Sequence, residues 1–178
     1  MKTQEPPVIE TERLILRGHV ASDLDDCAAM WEDWRVTRYI GFNRTRQDTW
    51  FTMARYRGFW AMLGYGYWIA RDRRTGDFVG EVGFADFQRG LEPDISGAPE
   101  AGWALASRAF GKGFGHECVS AIHAWLDTNL PGQHTHCIID PANKPSIRLA
   151  EKIGYEFLQE ALSGETKVLL FRRPALRA

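Results

Sequence analysis

The sequence predicts a single α/β domain, built on a mixed sheet of about six to seven strands with about four helices over its two faces. Three observations lead there. Seven short apolar stretches read as strands, and four longer segments place apolar residues at helical spacing. The two kinds interleave as strand, two helices, three strands, helix, strand, helix, two strands. No repeat and no linker divides the 178 residues, a length that buries roughly 70% of the surface an unfolded chain exposes.

Residues 1–8 read as a flexible start, since Pro6-Pro7 blocks a regular ladder; the domain spans 9–173 and a tail 174–178. Residues 13–17 (RLILR) have the apolar centre of a first strand. Ser22-Asp23 is the expected N-cap of a helix over 24–34, where Leu24, Cys27, Ala28 and Trp31 share one face. A second helix spans about 47–63, its buried stripe assigned to Trp50, Phe51, Ala54, Phe59 and Trp60, and Gly64-Tyr65-Gly66 stops it. Three antiparallel strands follow at 67–70, 78–87 and 100–106, with Gly80 and Gly83 marking a bend or bulge. Arg71-Asp72-Arg73-Arg74 reads as a solvated hairpin turn and 88–99 as a loop. Cys118, Ile122, Trp125 and Leu126 define an amphipathic helix that ends near Asn129. A strand at 134–140, a helix at 146–153 closed by Gly154, and strands at 155–159 and 167–171 complete the order.

Composition narrows the function. Hydrophobic residues at 44% and charged residues at 25% exclude a disordered chain. Lys+Arg 22 against Asp+Glu 23 gives no long-range attraction for nucleic acid, so none is expected as a partner. Cys27, Cys118 and Cys137 lie far apart with no CxxC, which fits a reduced, cytoplasmic chain whose thiols act as small buried hydrophobes. The first residues lack a signal peptide's apolar core and no run of about 18 apolar residues occurs, so no membrane partner is expected. His134-x-His136 would need further ligands to hold a metal, and none is expected.

One segment carries chemistry in its spacing: Phe110-Gly111-Lys112-Gly113-Phe114-Gly115-His116, between a strand and a helix. Glycines let the backbone approach an anion, and the N–H groups of the first helical turn point at it, aided by the helix dipole. A flexible turn that holds nothing is the competing reading. Two phosphate loops fail on spacing. A P-loop needs Ser or Thr directly after Gly-Lys, where Gly113 stands, and a GxGxxG counted from Gly111 ends on His116. A nucleotide-dependent oxidoreductase is disfavoured on that ground.

The turn resembles the acyl-CoA loop of the GCN5-related N-acetyltransferase (GNAT) superfamily: Gln or Arg, two residues, Gly, any residue, then Gly or Ala. Gly113 and Gly115 match, while Phe110 takes the polar place, as in the branch resembling ribosomal-protein-alanine N-acetyltransferases. The family's second motif, Asn-x-x-Ser followed by apolar residues and Gly-aromatic, is met by Asn143, Ser146, Ile147, Leu149, Gly154 and Tyr155. Glu12-Arg13-Leu14-Ile15-Leu16-Arg17, Val36-Thr37-Arg38-Tyr39-Ile40-Gly41 and Glu100-Ala101-Gly102-Trp103-Ala104-Leu105 also resemble that branch, so the likeness covers roughly 9–173.

The resemblance implies a single-domain, mostly antiparallel sheet and transfer of an acetyl group from acetyl-CoA to a primary amine, on a protein N-terminus or a small molecule, by direct attack in a ternary complex. It places Phe110, Gly111, Lys112, Gly113, Phe114, Gly115 and His116 at the cofactor's diphosphate. Trp103, Ala104 and Leu105 would lie along the pantetheine arm, the Leu105 N–H polarising the thioester carbonyl, and Asn143 would bond the cofactor's amide chain. Many relatives protonate the leaving thiolate with a Tyr at the position of Ala150. Here Ser146 is the replacement, unless it only caps or packs its helix. Glu100 resembles the proposed base for an amine that is protonated at neutral pH, against a solvated carboxylate at a strand end; Asp86 and Glu81 are the other carboxylates considered. Trp34, Tyr39, Phe42 and Glu100 would line the acceptor site. A non-catalytic acyl-CoA-binding or sensing module, favoured by the missing Tyr, is the alternative, and a homodimer stays open.

Overall fold

A computed structural model describes residues 5–41 and 44–175. β1 (Ile9–Glu10) and β2 (Leu14–Arg17) precede α1 (Leu24–Glu32), α2 (Trp34–Thr37) and α3 (Arg46–Leu63). β3 (Tyr67–Asp72), β4 (Phe78–Ala85) and β5 (Glu100–Leu105) lead through a 3-10 turn at Ser107–Ala109 into α4 (Phe114–Asn129). β6 (Thr135–Ile139), α5 (Lys144–Ile153), β7 (Glu156–Ser163) and β8 (Thr166–Arg173) complete the chain. The strands form one sheet in the order β1-β2-β3-β4-β5-β6-β8-β7, antiparallel everywhere except between β5 and β6.

The predicted class holds, with eight strands rather than six to seven. The additional strand is β1, two residues long and too short to show an alternation. Trp68 Nε1 fixes the chain just before it by donating to the Pro7 carbonyl at 2.8 Å. The expected helix over 24–34 is two helices, because Asp33 takes an extended backbone (ψ 112°) and caps α2 by accepting from the Arg35 N–H.

Every residue of β4 is buried, so helices cover both faces of the sheet centre. On one face Leu14, Trp68, Val82, Phe84 and Ala101 meet Cys118, Val119, Ile122 and Leu126 of α4. On the other, Ile69, Phe78 and Ala104 meet Cys27, Met30 and Trp31 of α1. α3 serves both, with Met53 on the α1 side and Trp60 edge-on to Trp68 and Trp125 on the α4 side.

The stripe assigned to α3 needs correction. The buried residues are Thr49, Thr52, Met53, Tyr56 and Trp60, at i, i+3, i+4, i+7 and i+11, while Trp50 and Phe51 point outward at 43% and 61% exposure. Asp23 holds the expected N-cap position of α1, but its side chain makes no capping hydrogen bond to that helix. Its buried carboxylate accepts from Arg17 twice at 2.7 Å, from Arg71 at 2.8 Å and from the Val20 N–H at 2.9 Å. Arg71 therefore belongs to a buried charge cluster, and the turn proper starts at Arg73.

Candidate active site

β5 is the strand on which the site is built. Glu100, its first residue, pairs with Ala85 of β4 on one side and His136 of β6 on the other. That is the one ladder pair between β5 and β6, supported by His136 N–H donating to the Pro99 carbonyl at 3.1 Å. Beyond it the strands part, while β5 stays zipped to β4 as far as Leu105. Main-chain groups alternate in direction along a strand. Ala106 N–H points at β4, where it donates to the Val79 carbonyl at 2.9 Å, so the N–H groups of Trp103 and Leu105 face the opening on the β6 side. Side chains alternate too: Ala101 and Trp103 lie on the α4 face, Ala104 on the α1 face.

The opening ends at the predicted glycine turn. Gly111 and Gly113 take left-handed backbones (φ 71° and 79°), which a residue with a Cβ adopts at a cost. Gly113 is the N-cap of α4 and no side chain caps that helix, so the amides of Phe114, Gly115 and His116 have no intrahelical carbonyl. Gly115 packs closely, for a Cβ there would meet Leu105 Cδ1 at 3.2 Å and Leu149 Cδ2 at 3.4 Å. Phe110, Lys112 and His116 are exposed. Glu117 would put a negative charge beside this helix start, but Arg13 neutralises it: Arg13 Nε donates to Oε2 at 2.7 Å, and Arg13 Nη1 donates to the Lys112 carbonyl at 2.9 Å. Arg13 thus pins the turn from β2, a role invisible across 99 residues of sequence.

Ser146 and Trp103 meet across the opening, the indole N–H donating to Ser146 Oγ at 3.2 Å. An indole is a donor only, so the serine accepts there, and its own proton has no acceptor among the described residues. Asn143 is the N-cap of α5, its Oδ1 accepting from the Ser146 N–H at 3.2 Å. Ala150 is fully buried.

On the α1 side Glu100 is 5% exposed and accepts from Arg89 Nη2 at 2.9 Å. Burial pushes its carboxyl up to about 7, with the Arg89 charge and hydrogen bond pulling down and Asp86 adding upward. His136 opposite is buried and its Nδ1 lacks a partner among the described residues; burial, His134 and Arg172 hold it down to about 4. Tyr67 stacks on Tyr56 at 3.9 Å, and its hydroxyl sits where a side chain at Gly102 would go, 2.0 Å from that Cβ position. Phe59 and Phe87 stand edge-on beside this pair at 5.9 Å.

The other predicted residues are placed differently. Asp86 accepts from Gln88 Nε2 at 2.6 Å and from the Gly97 N–H at 3.0 Å, tying the 86–98 loop together. Glu81 is 1% exposed and accepts from His19 and Trp31, both at 2.7 Å, and from Cys27 at 3.6 Å. Burial pushes the Glu81 carboxyl up, but His19, Trp31 and Arg44 outweigh it and hold it low. The donor atoms of His19, Cys27 and Glu81 lie within 4.8 Å of one another, a grouping no sequence spacing suggested. Trp34 is 64% exposed and Tyr39 half-buried under Arg38, 4.7 Å away. No hydrogen bond or ring contact links either to Glu100; Phe42 lies outside the described residues. Arg89 and Tyr67, which sequence reasoning missed, are the side chains gathered around Glu100.

The comparisons with known proteins agree with this architecture. The chain is 33% identical over 112 residues to the uncharacterized protein YkkB of Bacillus subtilis (strain 168), a match covering 62% of this chain and 63% of the relative. The chain thus spans less than two thirds of that relative's length. A solved structure from Bordetella pertussis, assigned to the GNAT-family acetyltransferases, superposes with a TM-score of 0.83 at 30% identity, covering 94% of this chain and 99% of the other. The ribosomal-protein-S5-alanine acetyltransferase of Vibrio fischeri shares the fold with a TM-score of 0.73 at 15% identity, over 95% and 97% of the two chains. The family model described as an acetyltransferase (GNAT) domain matches residues 13–156, from the arginine that pins the glycine turn to the first residue of β7. With its sheet parted beside an uncapped helix start, this chain belongs to the GNAT acetyltransferase family.

Proposed function

We propose that the chain moves an acetyl group from acetyl-CoA to a primary amine by direct attack in a ternary complex. The observation that carries the reading is the gap between β5 and β6, lined by the inward-facing N–H groups of Trp103 and Leu105 and ending at the uncapped start of α4. The amides of Phe114, Gly115 and His116 have no acceptor among the described residues, which suits a diphosphate. The Arg13–Glu117 pair removes the charge that would repel it. The pantetheine arm would lie along β5 as an added strand, and the Leu105 N–H would stabilise charge on the thioester oxygen.

In the reaction, the acceptor's neutral nitrogen attacks the thioester carbon as Glu100 takes the proton that the nitrogen sheds. The tetrahedral intermediate expels the thiolate as the carbon–sulfur bond breaks, Ser146 gives a proton to sulfur directly or through water, and the proton held by Glu100 passes back through solvent to restore the serine. A base near pKa 7 is ionised in half the molecules at neutral pH and is strong enough to accept the proton. The Trp103 hydrogen bond turns the serine's lone pair away and leaves its proton for donation. The buried Ala150, where relatives carry Tyr, favours a second reading in which the chain binds acyl-CoA without turnover.

Thermal unfolding with CoA, acetyl-CoA or NAD, paired with thiol release on a panel of amines, separates the readings. The proposal expects stabilisation by acetyl-CoA but not NAD, and thiol release with at least one amine. Stabilisation with no turnover on any amine supports the binding module.

A further inference from the structure

Several arginines around α3 are committed to the fold, Arg44 among them with its guanidinium 3.8 Å from the Trp31 ring. Arg35, Arg46 and Arg57 each hold a carboxylate of the fold, Asp33, Asp25 and Glu5, at 2.8, 2.6 and 2.6 Å. Arg55 has no carboxylate within 4.0 Å among the described residues, and its guanidinium lies 5.9 Å from the Phe87 ring. Arg89 stands 4.5 Å from the same ring, and its one carboxylate partner among the described residues is Glu100. The Arg89 side chain is 32% exposed and that of Glu100 is 7% exposed. Two cations thus lie against one aromatic ring, and one of them is the counter-ion of the proposed base.

This arrangement constrains the acceptor. A cationic amine that approached Glu100 would compete with Arg89 for the carboxylate and leave a guanidinium without a counter-charge, which is costly away from water. An amine carrying its own anionic group meets both poles at once. Arg89 Nη2 and Glu100 Oε1 lie 2.9 Å apart, and an amine and a carboxylate joined through one or two carbons match that separation. The guanidinium fork suits a carboxylate's two oxygens. Of the loop's other acids, Asp86 is engaged by Gly97 and Gln88 and Asp94 by the Ser96 N–H at 2.9 Å, while Glu92 is exposed.

We propose that the acceptor is a small zwitterionic amine of the amino-acid type, its carboxylate held by Arg89 and Arg55 while its amine faces Glu100. The inference rests on the acetyl-transfer reading above and names the substrate class of that same site. The stacked Tyr56 and Tyr67, with Phe59 and Phe87, supply the apolar wall beside the two poles.

The test uses the full chain, acetyl-CoA, thiol release, and amino acids each measured beside its own carboxamide, with spermidine as a cationic acceptor. The carboxamide keeps the amine and loses only the negative charge. Its amine is also the more easily deprotonated, so that bias runs against the proposal. The expected result is kcat/KM at least about tenfold higher for the preferred amino acid than for its carboxamide, mostly through KM. Arg89→Gln and Arg55→Gln should each lower that ratio, toward one for Arg89→Gln. Should Arg89→Gln fail to fold, Arg55→Gln, which does not touch Glu100, still reads the ratio. Equal rates within the matched pairs, or spermidine outperforming every amino acid, would overturn the anionic subsite and leave acetyl transfer standing. Acetyl-CoA binding with no thiol released on any acceptor would overturn both.

Discussion

Replacing Glu100 with Gln keeps the shape of the side chain and removes the ionisable group at the base of the fork between β5 and β6. Burial raises this carboxyl from 4.5 to about 7. A base with that value is ionised in about one tenth of molecules at pH 6 and about nine tenths at pH 8. With an acceptor whose amine titrates well below pH 6, kcat/KM of the parent chain should rise about tenfold over that interval and then level. Glu100→Gln should give a flat profile about 10²- to 10⁴-fold lower, the usual contribution of general base catalysis. The same shift predicts stability with the opposite sign. A carboxyl whose folded value is raised favours the native state below its unfolded value and loses that advantage as pH climbs from 4.5 to about 7. Glu100→Gln should therefore match the parent near pH 4 and exceed it at pH 8 by up to about 3 kcal/mol, read from denaturant midpoints. Thiol release measured across pH is the deciding assay. A variant with full kcat/KM at every pH refutes the assignment of the base.

Three further outcomes follow from particular contacts. Trp103→Phe removes the indole donor while keeping an aromatic ring, so kcat should fall about five- to tenfold; because Ser146→Ala acts on the same proton, the double variant should be no slower than the worse single one. Gly102→Ala places a methyl group 2.0 Å from the Tyr67 hydroxyl and should cost about 1–3 kcal/mol in thermal unfolding, much of it recovered when Tyr67→Phe removes that oxygen. Burial pushes the Asp23 carboxyl up, but Arg17 and Arg71 outweigh it and bring it from 3.8 down to about 2. Its contribution of about 2 kcal/mol is then present above about pH 4 and lost as pH falls toward 2, so Asp23→Asn should flatten the acid limb of stability over that window.

What sequence could and could not reveal follows from the range of each interaction. The glycine turn was legible because its requirement is local: left-handed backbones at Gly111 and Gly113 and an open helix start at Phe114 are written in consecutive residues. Seven of eight strands announced themselves through apolar runs, and β1 did not because two residues hold no period. Size misleads on the face of α3, where Thr49 and Thr52 face the core and the larger Trp50 and Phe51 do not. Glu100 was found as a residue but not as a buried pair, since Arg89 reaches it from a loop with no apolar pattern. The contacts of Trp103 with Ser146 and of Arg13 with Glu117 join residues 43 and 104 positions apart, and no spacing rule connects them.

The central claim is that main-chain donors at the start of α4 grip the diphosphate of coenzyme A thioesters. Calorimetric titration with acetyl-CoA, compared with S-acetylpantetheine, which has the same thioester and arm but no phosphates, tests it most directly. The account predicts saturable binding of acetyl-CoA and affinity at least about a hundredfold weaker for the phosphate-free analogue, the loss of several charge-assisted hydrogen bonds. Equal affinity for the two, or no heat with acetyl-CoA, would contradict it.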